Sequence, residues 1–223
     1  MDRRNFLTKG VAATTVLASM SSSSNAAESK TVRIVGVSCS PRKGKTTAIA
    51  VKAALDAAQG VNSGIKTELI DLGDLNISGY TGDAKSAKDD FDKIVLPKLR
   101  EPLPDGLIIG SPVYFRTMSA LCKAFLERLV VLRKPKLLLA DIPVGVLAVG
   151  AYRNGGQELV IEQIQSAMLC HEVMVVGGKP GAHQGATLWN AYKDDITKDE
   201  FGIATASQLG IRVAEAALSL TQK

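Results

Sequence analysis

VRIVGVSCSPRKGKTT, Val32 to Thr47, runs from an apolar strand into a polar turn. Beyond it, AIAVKAALDAAQ has the composition of a helix and stops at Gly60. Val32 to Ser38 is nearly continuously apolar, as a strand covered on both faces must be. Thr46 or Thr47 supplies the hydroxyl expected at the helix N-terminus.

The same alternation continues. Apolar runs recur at TELIDL (Thr67 to Leu72), GLIIGS (Gly106 to Ser111), PVGVLAVG (Pro143 to Gly150) and VMVVGG (Val173 to Gly178). TELIDL alternates more than the others, as an edge strand does. Helical spacing appears over Ala84 to Leu99, Met118 to Leu132, Glu158 to Cys170 and Phe201 to Leu220. This βα alternation predicts an α/β domain: a five-stranded parallel sheet of order 2-1-3-4-5, flavodoxin-like, with helices on both faces. No internal repeat or linker marks a second domain. Two irregular stretches, Gly73 to Asp83 and Gly177 to Lys198, have no assigned role.

The chain has 223 residues and is 46% hydrophobic but only 4% aromatic, which suits helices packed on a buried sheet and excludes a disordered chain. Residues 1–26 read as a leader. Arg3 and Arg4 precede Phe6 and Leu7, a short apolar run spans Val11 to Met20, and Ser24 and Ala26 offer small residues for cleavage. The run is too short to span a bilayer. The expectation is a twin-arginine signal engaging the twin-arginine export machinery, a periplasmic destination, and a folded domain over residues 27–223. Removing residues 1–26 takes away three basic residues and one acidic residue, so the net charge falls from +5 to +3. A small, scattered charge excludes a nucleic-acid partner. The cysteines, Cys39, Cys122 and Cys170, form no C-x-x-C pair, and His171 and His183 lack a ligand cluster, so no metal site is expected.

In this sheet order a ligand sits beyond the carboxyl ends of the strands, between the first and third. The turns there are SCSPRKGKTT, SPVYFRTMSA and GAYRNGGQE. In the first, Ser40, Thr46 and Thr47 bring hydroxyls, Arg42 a guanidinium, and the helix start free N–H groups, a set that suits a phosphate. Gly44, Lys45 and Thr46 imitate the second half of a nucleotide P-loop, but Cys39 stands where its first glycine belongs. The third strand also ends without a carboxylate for Mg²⁺. A plain strand-to-helix turn is the alternative. In the second turn, Pro112 holds the chain extended. The N–H groups of Val113, Tyr114 and Phe115 are then available to a heteroaromatic edge, unless both aromatics roof the core. In the third, Gly155 and Gly156 allow close backbone approach. The alternative is a tight turn with Asn154 left-handed.

Taken together, CSPRKGKTT, SPVYFRTMS and RNGGQE resemble the NADPH-dependent FMN reductase family of flavodoxin-like proteins, nearest its iron–sulfur flavoprotein branch. DEFGIATASQLGIRVAEA resembles the family's last helix. The resemblance spans residues 31 to 220 and implies non-covalent FMN. It places the phosphate on Ser40, Arg42, Thr46, Thr47 and the intervening backbone through Gly44 and Lys45. It places the ring on Pro112, Val113, Tyr114, Phe115 and Arg116. The far flavin edge falls on Ala151, Tyr152, Arg153, Asn154, Gly155 and Gly156. It also implies a homo-oligomer, dimer or tetramer. The branch's cysteine cluster follows the second strand; here that segment reads LNISGYTGDAKSAKDD and has no cysteine. The function expected is an FMN-dependent oxidoreductase passing electrons from a reduced donor to an acceptor, with no catalytic side chain of its own. The alternative is a flavodoxin-like electron carrier. The family implies NAD(P)H as donor; the export signal favours a quinol or a periplasmic redox protein.

Overall fold

The structure is a computed structural model describing residues 31–83 and 88–221. The expected signal, residues 1–26, lies outside the described residues. β1 (Val32–Ser38) leads into α1 (Thr46–Gln59) and β2 (Ile65–Asp71). α2 (Leu96–Arg100), β3 (Gly106–Tyr114), β4 (Thr117–Met118) and α3 (Ala120–Arg128) follow. Then come β5 (Pro143–Gly150), α4 (Gln157–Leu169), β6 (Met174–Val175), β7 (Ala186–Trp189) and α5 (Glu200–Thr221).

The sheet runs β2-β1-β3-β5-β6, which is the expected order once the short β4 arm is set aside. These pairings are parallel; β4 alone folds back antiparallel on β3. The fold is flavodoxin-like. Successive strand side chains point to opposite faces. Ile34, Ile108 and Leu147 meet Val51, Leu55, Leu209 and Val213 of α1 and α5. Val35, Val37, Ile109 and Val146 meet Leu99, Phe125 and Ile161 of α2, α3 and α4. Both faces of the central strands are therefore dry, which explains their continuous apolar runs. Truncating one such side chain, as in Ile109→Ala, costs about 2–5 kcal/mol. β2 is only partly buried, as an edge strand should be.

The sheet has seven strands rather than five. Of VMVVGG, only Met174 and Val175 pair, with Pro143 and Val144 at the start of β5. At Gly177 the chain passes so near the His183 carbonyl that a Cβ would lie 1.6 Å from that oxygen. It therefore makes an excursion instead of continuing, and β7 returns to pair with Leu147–Gly150.

The helix expected from Ala84 begins, in the described residues, only at Phe91. A π-helical turn (Phe91–Val95) runs into α2. Asp89 and Asp90 turn their carboxylates to backbone N–H groups of Asn76, Ser78 and Phe91, and the bond from Phe91 N–H to Asp89 satisfies a donor at the helix start. Pro97, lacking an N–H, falls in the first turn of α2, where that loss is tolerated.

Candidate functional site

The first turn hangs from β1. Cys39 N–H donates to the Gly110 carbonyl at 2.8 Å, extending the β1–β3 ladder by one residue. Its thiol is buried in the core. Burial above all, then Cys122 and the Asp71 charge, push that thiol well above its ordinary range. The residue in the P-loop glycine position is thus a core side chain. Ser40 Oγ accepts from Arg42 N–H at 3.1 Å and rounds the turn. Gly44, at φ 65°, donates its N–H to Asp71 Oδ2 at 2.7 Å. Asp71 Oδ1 takes the Gly73 N–H at 3.2 Å. Asp71 ends the strand on the far side of β1 and nothing local marks it as part of the turn; register with Ser38 lets it reach there.

The expected threonine cap does not form. Lys45 is the N-cap residue and makes no side-chain cap bond; Thr46 and Thr47 lie inside the first helical turn. The first helical bond runs from Ile49 N–H to the Lys45 carbonyl. Among the described residues, the N–H groups of Thr46, Thr47 and Ala48 meet no acceptor. Thr47 Oγ1 is buried without a partner, as are Ser38 Oγ and Asn190 Oδ1. All three lie at the carboxyl edge of the sheet. Free amides at a helix start, unpaired hydroxyls and a guanidinium suit a dianionic phosphate monoester, such as the phosphate of FMN.

The second turn is a β-hairpin rather than an open loop. Val113 and Tyr114 sit in ladder register with Met118 and Thr117, an antiparallel arm in which only alternate residues direct their N–H groups across to the partner strand. The two tip residues, Phe115 and Arg116, have φ of 51° and 62°, the signature of a type I′ turn. The tip projects the Phe115 ring wholly into solvent. Neither aromatic roofs the core. Gln163 of α4 braces the returning arm, its Oε1 accepting from Thr117 Oγ1 at 2.7 Å. Ser119 joins the first two turns: its Oγ donates to the Cys39 carbonyl at 2.6 Å and caps α3 by accepting from Cys122 N–H at 3.0 Å.

In the third turn it is Gly156, at φ 105°, and not Asn154, that is left-handed. A Cβ on Gly156 would sit 3.3 Å from the Arg116 α-carbon, so the second and third turns touch there. Gln157, buried, holds the turn from within: its Oε1 accepts from Gly155 N–H at 2.9 Å and its Nε2 donates to the Tyr152 carbonyl at 2.6 Å.

A fourth element was missed. The segment after β7, Trp189 to Asp195, straps the first and third turns together. Trp189 Nε1 donates to the Ala151 carbonyl at 3.0 Å, and the Arg153 guanidinium lies 4.6 Å above the indole. Asn190 N–H reaches the Gly150 carbonyl at 2.8 Å. Asp194 pairs with Arg42 at 2.8 Å and accepts from the Asn190 side chain, also at 2.8 Å. Those two donors hold its carboxyl below the usual range. TLWNAYKDD carries the chain's single tryptophan inside an irregular stretch; that was the available signal.

Two hollows flank the hairpin. One of about 430 Å³ is bounded by Arg116, Arg153, Asn154 and Gly156. The larger of the two, about 1030 Å³, lies between Tyr114, Phe115 and α4 and includes no residue of the first turn. The anion cradle and the roomy apolar space are separate places that meet at the hairpin.

The family model for NADPH-dependent FMN reductase matches residues 32–187. An iron–sulfur flavoprotein of Methanocaldococcus jannaschii is 39% identical over 192 residues, 82% of this chain and 96% of that protein. An iron–sulfur flavoprotein of Methanosarcina thermophila is 32% identical over 199 residues, 86% and 98%. Among solved structures, RosB with bound 8-demethyl-8-formylriboflavin-5'-phosphate superposes with a TM-score of 0.70 at 16% identity, covering 86% of this chain and 81% of RosB, a likeness of fold. With a family match over residues 32–187 and 39% identity to a relative over most of both chains, the chain belongs to the NADPH-dependent FMN reductase family.

Proposed function

We propose that the chain is an FMN-dependent oxidoreductase whose first turn holds the cofactor phosphate while the hairpin and the third turn hold the ring. The observation that carries this reading is the uncapped start of α1, with its free N–H groups and the buried, unpaired Thr47 hydroxyl, in the same turn as Arg42, whose guanidinium pairs with Asp194. Bound FMN supplies the redox chemistry; the protein binds, orients and shields it. Ser40, Arg42, Thr46 and Thr47 anchor one end. Tyr114, Arg116 and the 151–156 backbone border the other. Arg42→Ala should lose a charge-assisted contact of about 1.5–3 kcal/mol, weakening FMN binding more than tenfold while leaving riboflavin binding nearly unchanged. Equal FMN affinity in the variant would sink the assignment. The hollow of about 1030 Å³ between the hairpin and α4 extends to Thr117, Leu159 and Gln163, beyond the residues assigned to the cofactor, and leaves room for a second molecule, which favours an enzyme over a pure carrier.

For the donor, the surroundings favour an apolar or protein partner over a dinucleotide. Phe115 is fully exposed, Tyr152 is 78% exposed and Phe201 58%. Arg153 is engaged by the Trp189 ring and lies 3.8 Å from Asp199. The physiological donor is therefore a quinol or a redox protein, with NAD(P)H reacting slowly. Anaerobic stopped-flow reduction compares them; rapid, saturable reduction by micromolar NADPH would overturn this choice. Export rests on the sequence of residues 1–26. Lysine at both Arg3 and Arg4 should retain a flavin-loaded precursor in the cytoplasm, and normal periplasmic delivery would refute it. Self-association into a dimer or tetramer rests on the family resemblance and is read by light scattering of the purified protein, where a monomer at all concentrations would exclude it.

A further inference from the structure

Proteins closely related to this chain are named iron–sulfur flavoproteins. A cluster of the common all-cysteine type takes four thiolates. This chain has three cysteines, and they are dispersed. Cys39 and Cys122 are buried in the core, while Cys170 is exposed at the end of α4. Among the described residues, no group of three or more His, Cys, Asp or Glu side chains is placed to hold a metal ion. The donor set does not fit a cluster.

Another device organises the irregular segment after β2. The N–H groups of Asn76, Ser78 and Tyr80, every second residue, each donate to a carboxylate. Asn76 reaches Asp90 Oδ2 at 2.8 Å, Ser78 reaches Asp89 Oδ2 at 2.7 Å, and Tyr80 reaches Glu127 Oε2 at 2.9 Å. Asp89 Oδ1 also takes the Phe91 N–H at 3.0 Å. Behind them stands Arg128, whose side chain is only 3% exposed. It pairs with Asp89 at 2.8 Å and Asp92 at 2.7 Å, and its guanidinium lies 4.8 Å over the Phe91 ring. Phe91 packs in turn on Phe125 of α3. The same segment, with Leu75, Asn76, Ile77 and Gly79, walls a cavity of about 610 Å³ shared with Pro41 and Tyr114 of the first and second turns.

We propose that this chain works without an iron–sulfur cluster, and that an arginine–carboxylate clamp centred on Arg128 fixes residues 76–80 against residues 89–92 beside the cofactor turns. Electrons then pass between the flavin and its partners with no metal relay in this chain. The clamp is a reasonable substitute on physical grounds. A buried guanidinium needs at least one carboxylate and satisfied N–H groups around it, and backbone N–H groups off any ladder need acceptors. Each meets the other's requirement here.

The test has two arms, and the first does not depend on the identity of the flavin site. Protein made with abundant iron–sulfur assembly machinery and purified anaerobically is assayed for iron and acid-labile sulfide. Substoichiometric amounts of both, and a reductive titration that ends at the two electrons a flavin accepts, are expected. Stoichiometric iron and sulfide with additional electron uptake would overturn the cluster-free assignment even if FMN were bound. In the second arm, Arg128→Met should speed limited proteolysis within residues 75–92 at least about tenfold, because one side of a buried ion pair is left uncompensated. Should Arg128→Met fail to fold, Asp92→Asn, which removes a single outer contact, still reads the clamp by a smaller acceleration at the same sites. Unchanged cleavage in whichever variant folds would refute the clamp.

Discussion

Thr47 is the residue at which structure and binding make opposite demands. Its hydroxyl is buried and unpaired, which costs about 1–3 kcal/mol in the ligand-free protein. Thr47→Val keeps the shape and removes that cost. The apo variant should therefore melt at the same temperature as the parent or higher, while its affinity for FMN falls by about tenfold, a lost hydrogen bond of roughly 1.4 kcal/mol. Thermal melts with and without FMN measure both signs; a variant weakened in both states would show the hydroxyl to be structural. What the sequence made legible at this scale is composition and position in the chain. Arg42, Thr46 and Thr47 could be read from the hydroxyl and guanidinium content of a turn before a helix. Asp71 and Asp194 could not, because nothing local says that a carboxylate 27 residues away takes the Gly44 N–H, or that one 152 residues away pairs with Arg42.

Among the elements, the hairpin and the clamp carry their own consequences. Phe115 and Arg116 both occupy the left-handed region, at a cost of about 1–2 kcal/mol for each non-glycine residue. Arg116→Gly relieves one of them and should raise stability by about 1 kcal/mol. The same change should impair ring-side binding if the guanidinium contacts the cofactor or its partner. Chemical denaturation and FMN titration of one variant separate the two effects, and an unaltered or lower stability would contradict the strain argument. The clamp predicts a pH response. Burial alone would raise the Asp89 carboxyl, but the N–H groups of Ser78 and Phe91 and the Arg128 charge outweigh it and hold it below its ordinary value. A group with a lowered folded pKa stabilises above its unfolded pKa of about 3.9, and that contribution is lost as pH falls through the folded value. Asp89→Asn should thus lower the melting temperature at neutral pH, with the gap to the parent closing below about pH 4. A gap independent of pH would remove the charge from the explanation. Prolines, glycines and apolar periodicity told where most elements lie. They did not reveal the later start at Phe91, since the apolar spacing runs on from Ala84 to Leu99 and the long-range N–H partners of Asp89 and Asp90 leave no local trace.

At the level of the whole molecule, the proposed cofactor site is a junction of separately anchored turns. Ser119 ties the first to the second, Gly156 touches the second at Arg116, and the 189–195 strap ties the third to the first. A ligand that spans them binds the folded state alone. FMN at about a hundredfold excess over its dissociation constant should stabilise the protein by about 2.7 kcal/mol, with riboflavin at equal concentration giving less. Calorimetry checks this, and equal stabilisation by both would remove the phosphate from the account. Local order in the sequence determined the α/β class, the strand order and the placement of three turns at one edge, because periodicity and turn chemistry act over a few residues and leave a local trace. Only the tertiary structure decided that the fifth strand is split, that the second turn is a strained hairpin, that a strap from residue 189 closes the site, and that Arg128 takes charge of the segment after β2. Each of these depends on groups far apart in the chain meeting in space, where burial turns a hydrogen bond or charge from incidental into obligatory.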